Sequence, residues 1–166
     1  QGLGAEETVR RLIDESEFPD QRQVAAIDSN GKTAFYSGPK IPSINGGFQG
    51  RNCVSTGNVI ANLDVPRAMV ECYEASLHLE FVERLLAAVD AGLAAGGETQ
   101  PLYSAALLVV DEQAWPLVDL RVDYELEPEK KLRSLWETYK PQTEHFITQV
   151  LRPNDVKPRA PVAEST

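Results

Sequence analysis

The sequence predicts an α+β fold in which helices pack on largely antiparallel sheets. Three observations carry that expectation: an Asn30-Gly31 turn between two strand-like runs, a second pair of strand-like runs at 104–111 and 115–123, and amphipathic helical periodicity before, between and after them. The element order, α, β-hairpin, β, α, α, β, β, α, α, has runs of strands and runs of helices rather than strict alternation, which is the signature of helices segregated onto antiparallel sheets.

Each element follows from its residues. Val9, Leu12 and Ile13 repeat at helical spacing while Glu6, Glu7, Arg10 and Arg11 take the wet side, so a short helix runs to about Glu15 before Pro19. Residues 23–28 and 32–37 flank Ser29-Asn30-Gly31, where Asn-Gly tolerates the positive φ angles of a two-residue type I′ turn. Residues 38–50 turn to Gly, Pro, Ser and Asn and read as an extended surface loop bordering a site, with 52–56 returning as a third short strand. Asp64 and Pro66 suit the start of a helix over 65–74. Phe81, Val82, Leu85, Leu86, Val89 and Leu93 then form a wide apolar stripe that Gly96-Gly97 ends. In the second central strand Val118, Leu120 and Val122 point one way, and Leu117, Asp119, Arg121 and Asp123 the other, because side chains alternate along a strand. Pro128 opens a helix carrying Leu132, Leu135, Trp136 and Tyr139, and Pro141 separates it from a further helical turn pattern at Phe146, Ile147, Val150 and Leu151. The organisation expected is one domain over 1–151 and a Pro-rich tail over 152–166.

Composition narrows the function classes. A chain of 166 residues, 42% hydrophobic, is long enough to bury a core. Its formal charge of −9 repels phosphate backbones and anionic lipid heads, so nucleic acid and membrane surfaces are poor partners. No apolar run approaches the ~20 residues needed to cross a bilayer, and the start carries neither a basic stretch nor an apolar signal segment, so the chain reads as soluble and cytoplasmic. Two cysteines, Cys53 and Cys72, and two histidines suggest neither a disulfide framework nor a zinc site, and no cofactor is implied. Cys53 with His78 or His145 makes a thiol and imidazole pair only on paper, since their spacing does not bring them together.

A set of short motifs then points to a family. Gly2-Leu3-Gly4-Ala5-Glu6-Glu7, Val24-Ala-Ala-Ile-Asp-Ser-Asn-Gly31, Gly57-Asn58, Ala94-Ala-Gly-Gly97, Ser104-Ala-Ala-Leu-Leu-Val-Val110 and Val118-Asp-Leu-Arg-Val-Asp123 occur in this order, and the chain resembles the bacterial family called domain of unknown function 1028. That family is regarded as similar to the N-terminal-nucleophile hydrolases. The resemblance therefore implies a four-layer αββα sandwich of antiparallel sheets, and attack on an amide-type carbonyl by a first-residue Thr, Ser or Cys whose own α-amino group is the base. The chain opens at Gln1, which cannot act in that way, so the nucleophile is expected upstream and the chain reads as part of a longer protein. The residues present would form the supporting shell.

Within that shell Asn58 would offer an amide N–H to an oxyanion, worth about 3 kcal/mol when well placed, although Gly-Asn is equally ordinary turn chemistry. Arg121 would clamp a substrate carboxylate with Asp119 or Asp123 steadying its guanidinium, or else the three form a structural ion-pair ladder. Ser104 either hydrogen-bonds in the site or opens its strand, and Glu98 stands in a loop, Glu98-Thr-Gln-Pro-Leu-Tyr103, that departs from the more basic lead-in common in the family. Two functional expectations result: a hydrolase of a C–N bond in a small metabolite, or a non-catalytic small-molecule-binding or interaction domain of the same fold. A small-molecule substrate and a homodimer or higher homo-oligomer complete the expectation.

Overall fold

The computed structural model describes residues 2–156, so the tail expected over 152–166 falls largely outside the described residues. Five helices and six strands are described: α1 (Ala5–Asp14), β1 (Gln23–Ile27), β2 (Thr33–Ser37), β3 (Asn45–Gly50), β4 (Cys53–Asn58), α2 (Asp64–Ala75), α3 (Phe81–Ala94), β5 (Ala105–Val109), β6 (Val118–Val122), α4 (Pro128–Tyr139) and α5 (Thr143–Leu151). The strands pair as three antiparallel hairpins, β1 with β2, β3 with β4, and β5 with β6. They fall into two compact units, one ending at Leu102 and the other beginning at Tyr103.

In the first unit α1 lies on β1 and β2 through Ala5, Val9 and Ala34, with Ile13, Val24, Ala26 and Tyr36 closing around them. The buried stripe is Ala5-Val9-Ile13, so Leu12, expected inside, stands 49% exposed on the flank. The β1–β2 connection also differs from the two-residue turn expected. Only Gly31 has positive φ, and the Asp28 carboxylate gathers the turn by accepting from the N–H groups of Asn30 and Lys32 and, across the chain, of Ala5 at the start of α1. A polar residue able to accept three backbone donors makes a longer loop as good as a type I′ turn.

The largest correction concerns residues 38–50. Their second half is not loop but β3, paired in full register with β4 from Asn45↔Asn58 to Gly50↔Cys53. Glycine weakens a strand as a rule, yet here the missing side chains are what admits the neighbours. A Cβ on Gly47 would sit 2.8 Å from the Ser55 carbonyl oxygen and 3.0 Å from the Phe35 ring, and one on Gly50 would sit 2.5 Å from Val70. The β3–β4 hairpin is thus pressed against β1 and β2 on one side and α2 on the other. α2 and α3 pack on each other, with Met69 and Val65 against Gly92 and with Val65, Val70, Val82, Leu86 and Ala88 buried, and Gly96 and Gly97, both at positive φ, end α3. Phe81 and Val89, at the margins of the expected stripe, are partly exposed.

The second unit is the β5–β6 hairpin covered by α4. Leu107, Val109, Val118 and Val122 form the inner face against Leu132 and Trp136, and Val118 is wholly buried. The Tyr139 hydroxyl donates to the Leu117 carbonyl, and Tyr139 stacks on Phe146 of α5.

Candidate functional site

The ends of four strands meet in the first unit, and the side chain of Gln23 ties them together. Its amide nitrogen donates to Ser37 Oγ at 2.6 Å and to the Gly57 carbonyl at 2.8 Å, and stands 3.4 Å from the Gly46 carbonyl. Its amide oxygen accepts from Asn58 Nδ2 at 3.1 Å. One residue from β1 therefore contacts β2, β3 and β4.

Beyond Asn58 the backbone is strained. Val59 has φ of 60°, a left-handed conformation that costs a β-branched residue of the order of 1–3 kcal/mol. Its neighbours hold it there: the Val59 N–H donates to Ser43 Oγ at 3.0 Å, and its carbonyl accepts from both the N–H and the hydroxyl of Thr99, at 2.8 and 3.0 Å. Asn45 Nδ2 in turn donates to the Ser43 carbonyl. Ile60 then forms a β-bridge with Glu98, and Ala61 donates to the Gly97 carbonyl. Asn58 and the Glu98 segment, far apart in sequence, are brought side by side by this strained turn.

The other four expected residues lie in the second unit, on one face of its hairpin. Ala106 pairs with Arg121 and Leu108 with Asp119; continuing that register sets Ser104 opposite Asp123. The alternation read for β6 is observed, with Val118 and Val122 buried and Asp119 and Arg121 exposed. Arg121 makes a two-pronged contact with Asp119, Nε to Oδ1 at 2.9 Å and Nη2 to Oδ2 at 3.3 Å. The guanidinium holds the Asp119 carboxyl below the ordinary carboxylate range, and Asp119, then Asp123 more weakly, raise Arg121, so the pair stays ionised. With the Arg121 side chain 64% exposed, the pair presents its charge to solvent.

The Cys53 thiol is not activated. Burial and the Glu74 carboxylate raise Cys53, against a smaller opposing effect from Arg84, and Cys72 lies 3.4 Å from the Ala87 carbonyl. Both cysteines are free, and among the described residues no cluster of three His, Cys, Asp or Glu side chains could hold a metal ion. Among the same residues no helix is long and apolar enough to cross a membrane.

Sequence reading singled out Asn58 but missed Gln23, Ser43 and Val59. A lone Gln at a strand start and a Ser in a Pro-rich segment carry no signal of their own. Gly57-Asn58 was the one local hint that the chain bends there.

The fold and these two polar clusters define an α+β protein of antiparallel hairpins covered by helices. Its family follows from comparison: the chain belongs to the Family of unknown function (DUF1028), whose model matches residues 1–132. Among solved structures it is similar to protein SPO2555 from Silicibacter pomeroyi, of the same family, with 33% identity and a TM-score of 0.75 over 84% of this chain. The chain spans 61% of that neighbour's length. No curated protein matches it.

Proposed function

We propose that the protein is an N-terminal-nucleophile-type hydrolase of a C–N bond in a small metabolite, with the nucleophile supplied by a residue outside these 166. The observation that carries the reading is the Gln23–Asn58 seam beside strained Val59, a hydrogen-bonded, amide-lined junction of two hairpins in a chain that resembles that hydrolase class. A four-layer αββα sandwich accommodates the packing of α1 on the first hairpin, of that hairpin on the second, and of α2 on the second.

In this reading each group has a task. A first-residue Thr, Ser or Cys attacks the carbonyl while its α-amino group, with an unperturbed pKa of about 7.7–8.0, takes the proton. The Asn58 amide donates to the developing oxyanion once Gln23 has fixed its orientation, and the strain at Val59 keeps the chain turned so that Asn58 faces the seam. In the second unit, Arg121, steadied by Asp119, is an exposed guanidinium suited to pairing with an anionic group.

The test is a metabolite screen on the full-length protein with mass detection of a covalent adduct on the mature N-terminus. Turnover of an amide, ureide or lactam with an adduct on the first residue supports the proposal. Saturable binding without turnover or adduct replaces it with a binding domain of the same fold. Arg121→Ala separates the clamp from the ladder: loss of turnover with an unchanged melting transition supports a clamp, and loss of stability without a kinetic defect supports a ladder.

A further inference from the structure

A cleft of about 220 Å³ opens in the first unit on the side of β4 that faces the helices. Its walls are apolar, chiefly Ile60, Val65, Met69, Val89, Leu93 and Leu102, and Glu98 is the only ionisable side chain in the lining. It is separate from the polar seam. Ser55 and Gly57 face the cleft side, where the Ser55 hydroxyl donates to Met69 Sδ and a Cβ on Gly57 would meet Ile60, whereas Asn58 faces Gln23 on the opposite side of the strand.

The shape is set by the helix pair. Gly92 lets Met69 come so close that a Cβ there would stand 2.7 Å from Met69 Cγ, and both residues line the hollow that lies between α2, α3 and β4. Water gains little on such walls, because it needs two to four polar partners to be held. A hydrocarbon body gains the full benefit of leaving water. The volume exceeds the ~150 Å³ that takes up benzene in an apolar cavity, so a compact ring with a short arm fits.

Charge selects the polar end. The Glu98 backbone is fixed by its bridge to Ile60, and Thr99 beside it is fixed by two bonds to the Val59 carbonyl, so the carboxylate is carried on an anchored segment rather than a free loop. With a formal charge of −9 on the chain, an anionic ligand is repelled at the mouth and a cationic one attracted. We infer that this cleft is a binding site for a small hydrophobic primary amine, its hydrocarbon body among Met69, Val89 and Leu93 and its ammonium group against Glu98.

Three isosteres test it: cyclohexylmethylamine, cyclohexylmethanol and cyclohexanecarboxylate, titrated into the isotopically labelled chain at neutral pH and followed by amide NMR shifts. The amine should saturate, with the largest shifts confined to the segments around Ile60, Met69, Val89 and Glu98, and bind about fivefold tighter than the alcohol, the range of a single partly exposed ion pair. The carboxylate should bind weakest. Glu98→Gln should bring the amine to the affinity of the alcohol, and Val89→Trp, which fills the mouth from a partly exposed position, should abolish binding of both. Equal affinity for the amine and the carboxylate, shifts at the seam residues instead, or no saturation by the amine overturns the assignment. Because the cleft and the seam lie on opposite sides of β4, these outcomes are independent of whether the protein hydrolyses anything.

Discussion

Replacing Gln23 by Ala removes the one side chain that joins all four strands of the first unit. Three bonds are short enough to matter: Nε2 to Ser37 Oγ at 2.6 Å, Nε2 to the Gly57 carbonyl at 2.8 Å, and Asn58 Nδ2 to Oε1 at 3.1 Å. Each contributes about 0.5–1.5 kcal/mol net. Gln23 is only half-buried, so water re-solvates part of what is lost, and the expected total is about 2 kcal/mol. For a chain of this size that is a fall in Tm of roughly 4–8 °C. Urea unfolding followed by far-UV circular dichroism measures it directly. Asn58→Ala should cost less alone, and the double variant should show a coupling of at least about 0.5 kcal/mol, because the two amides share a bond. Gln23→Glu gives the chemical control: a carboxylate cannot donate to the Gly57 carbonyl, so its deficit at neutral pH should match or exceed that of Ala and shrink as acid protonates it. A loss below about 0.5 kcal/mol for Gln23→Ala, or full additivity with Asn58→Ala, refutes the account of the seam as a tied network.

Gly47→Ala should destabilise by about 1–3 kcal/mol, since the added methyl meets the backbone oxygen of Ser55, which cannot swing aside as a side chain would, and the Phe35 ring of β2; urea unfolding that shows no loss contradicts the close fit of β3 against β4 and Phe35. Asp28 makes stability acid-sensitive. Burial opposes its ionisation, but the N–H groups of Asn30, Lys32 and Ala5 outweigh it and leave the folded pKa below the unfolded one, so its contribution is full above the unfolded pKa and is lost as pH falls through the folded value; the acid limb of a Tm-against-pH curve should be shallower in Asp28→Asn. Cys53, raised by burial and Glu74, should react with iodoacetamide more slowly than a free cysteine at pH 8, and its rate should still be climbing above the pH where the free thiol levels off.

What the sequence made legible is the part of the fold governed by periodicity. The alternation of β6 and the apolar positions of α4 follow from where apolar residues recur, with Val118, Val122, Leu132 and Trp136 buried, whereas in the α3 stripe Val82 and Leu86 are buried while Phe81 and Val89 stand at its exposed margins. β3 was not legible for a physical reason. A strand is recognised by the side chains that fill its faces, and Asn-Gly-Gly-Phe-Gln-Gly has almost none; it is a strand because Phe35, Val70 and the Ser55 backbone occupy the volume its own side chains would have taken. Leu12 failed in the opposite sense. It is apolar and correctly spaced, but α1 rests on a narrow two-stranded hairpin, which covers the Ala5-Val9-Ile13 line and no more.

The same distinction explains the candidate site. Asp119 and Arg121 share the exposed face of β6 because the period of a strand puts them there, while Ser104 and Asp123 lie just outside the paired residues of the hairpin. The seam is different in kind. Gln23, Ser43 and Val59 come from three separate segments, and each looks unremarkable until tertiary packing sets a carbonyl or hydroxyl in front of it. Val59 is the extreme case, because a β-branched residue is the last one propensity would place at φ of 60°, and it is held there by contacts from Ser43 and Thr99 rather than by its own preference. A conformation that the local sequence opposes has to be maintained by the rest of the fold, and here the residues maintaining it are those that aim Asn58 at Gln23. That convergence on one amide, rather than the exposed charge at Arg121, makes the seam the stronger place to look for chemistry.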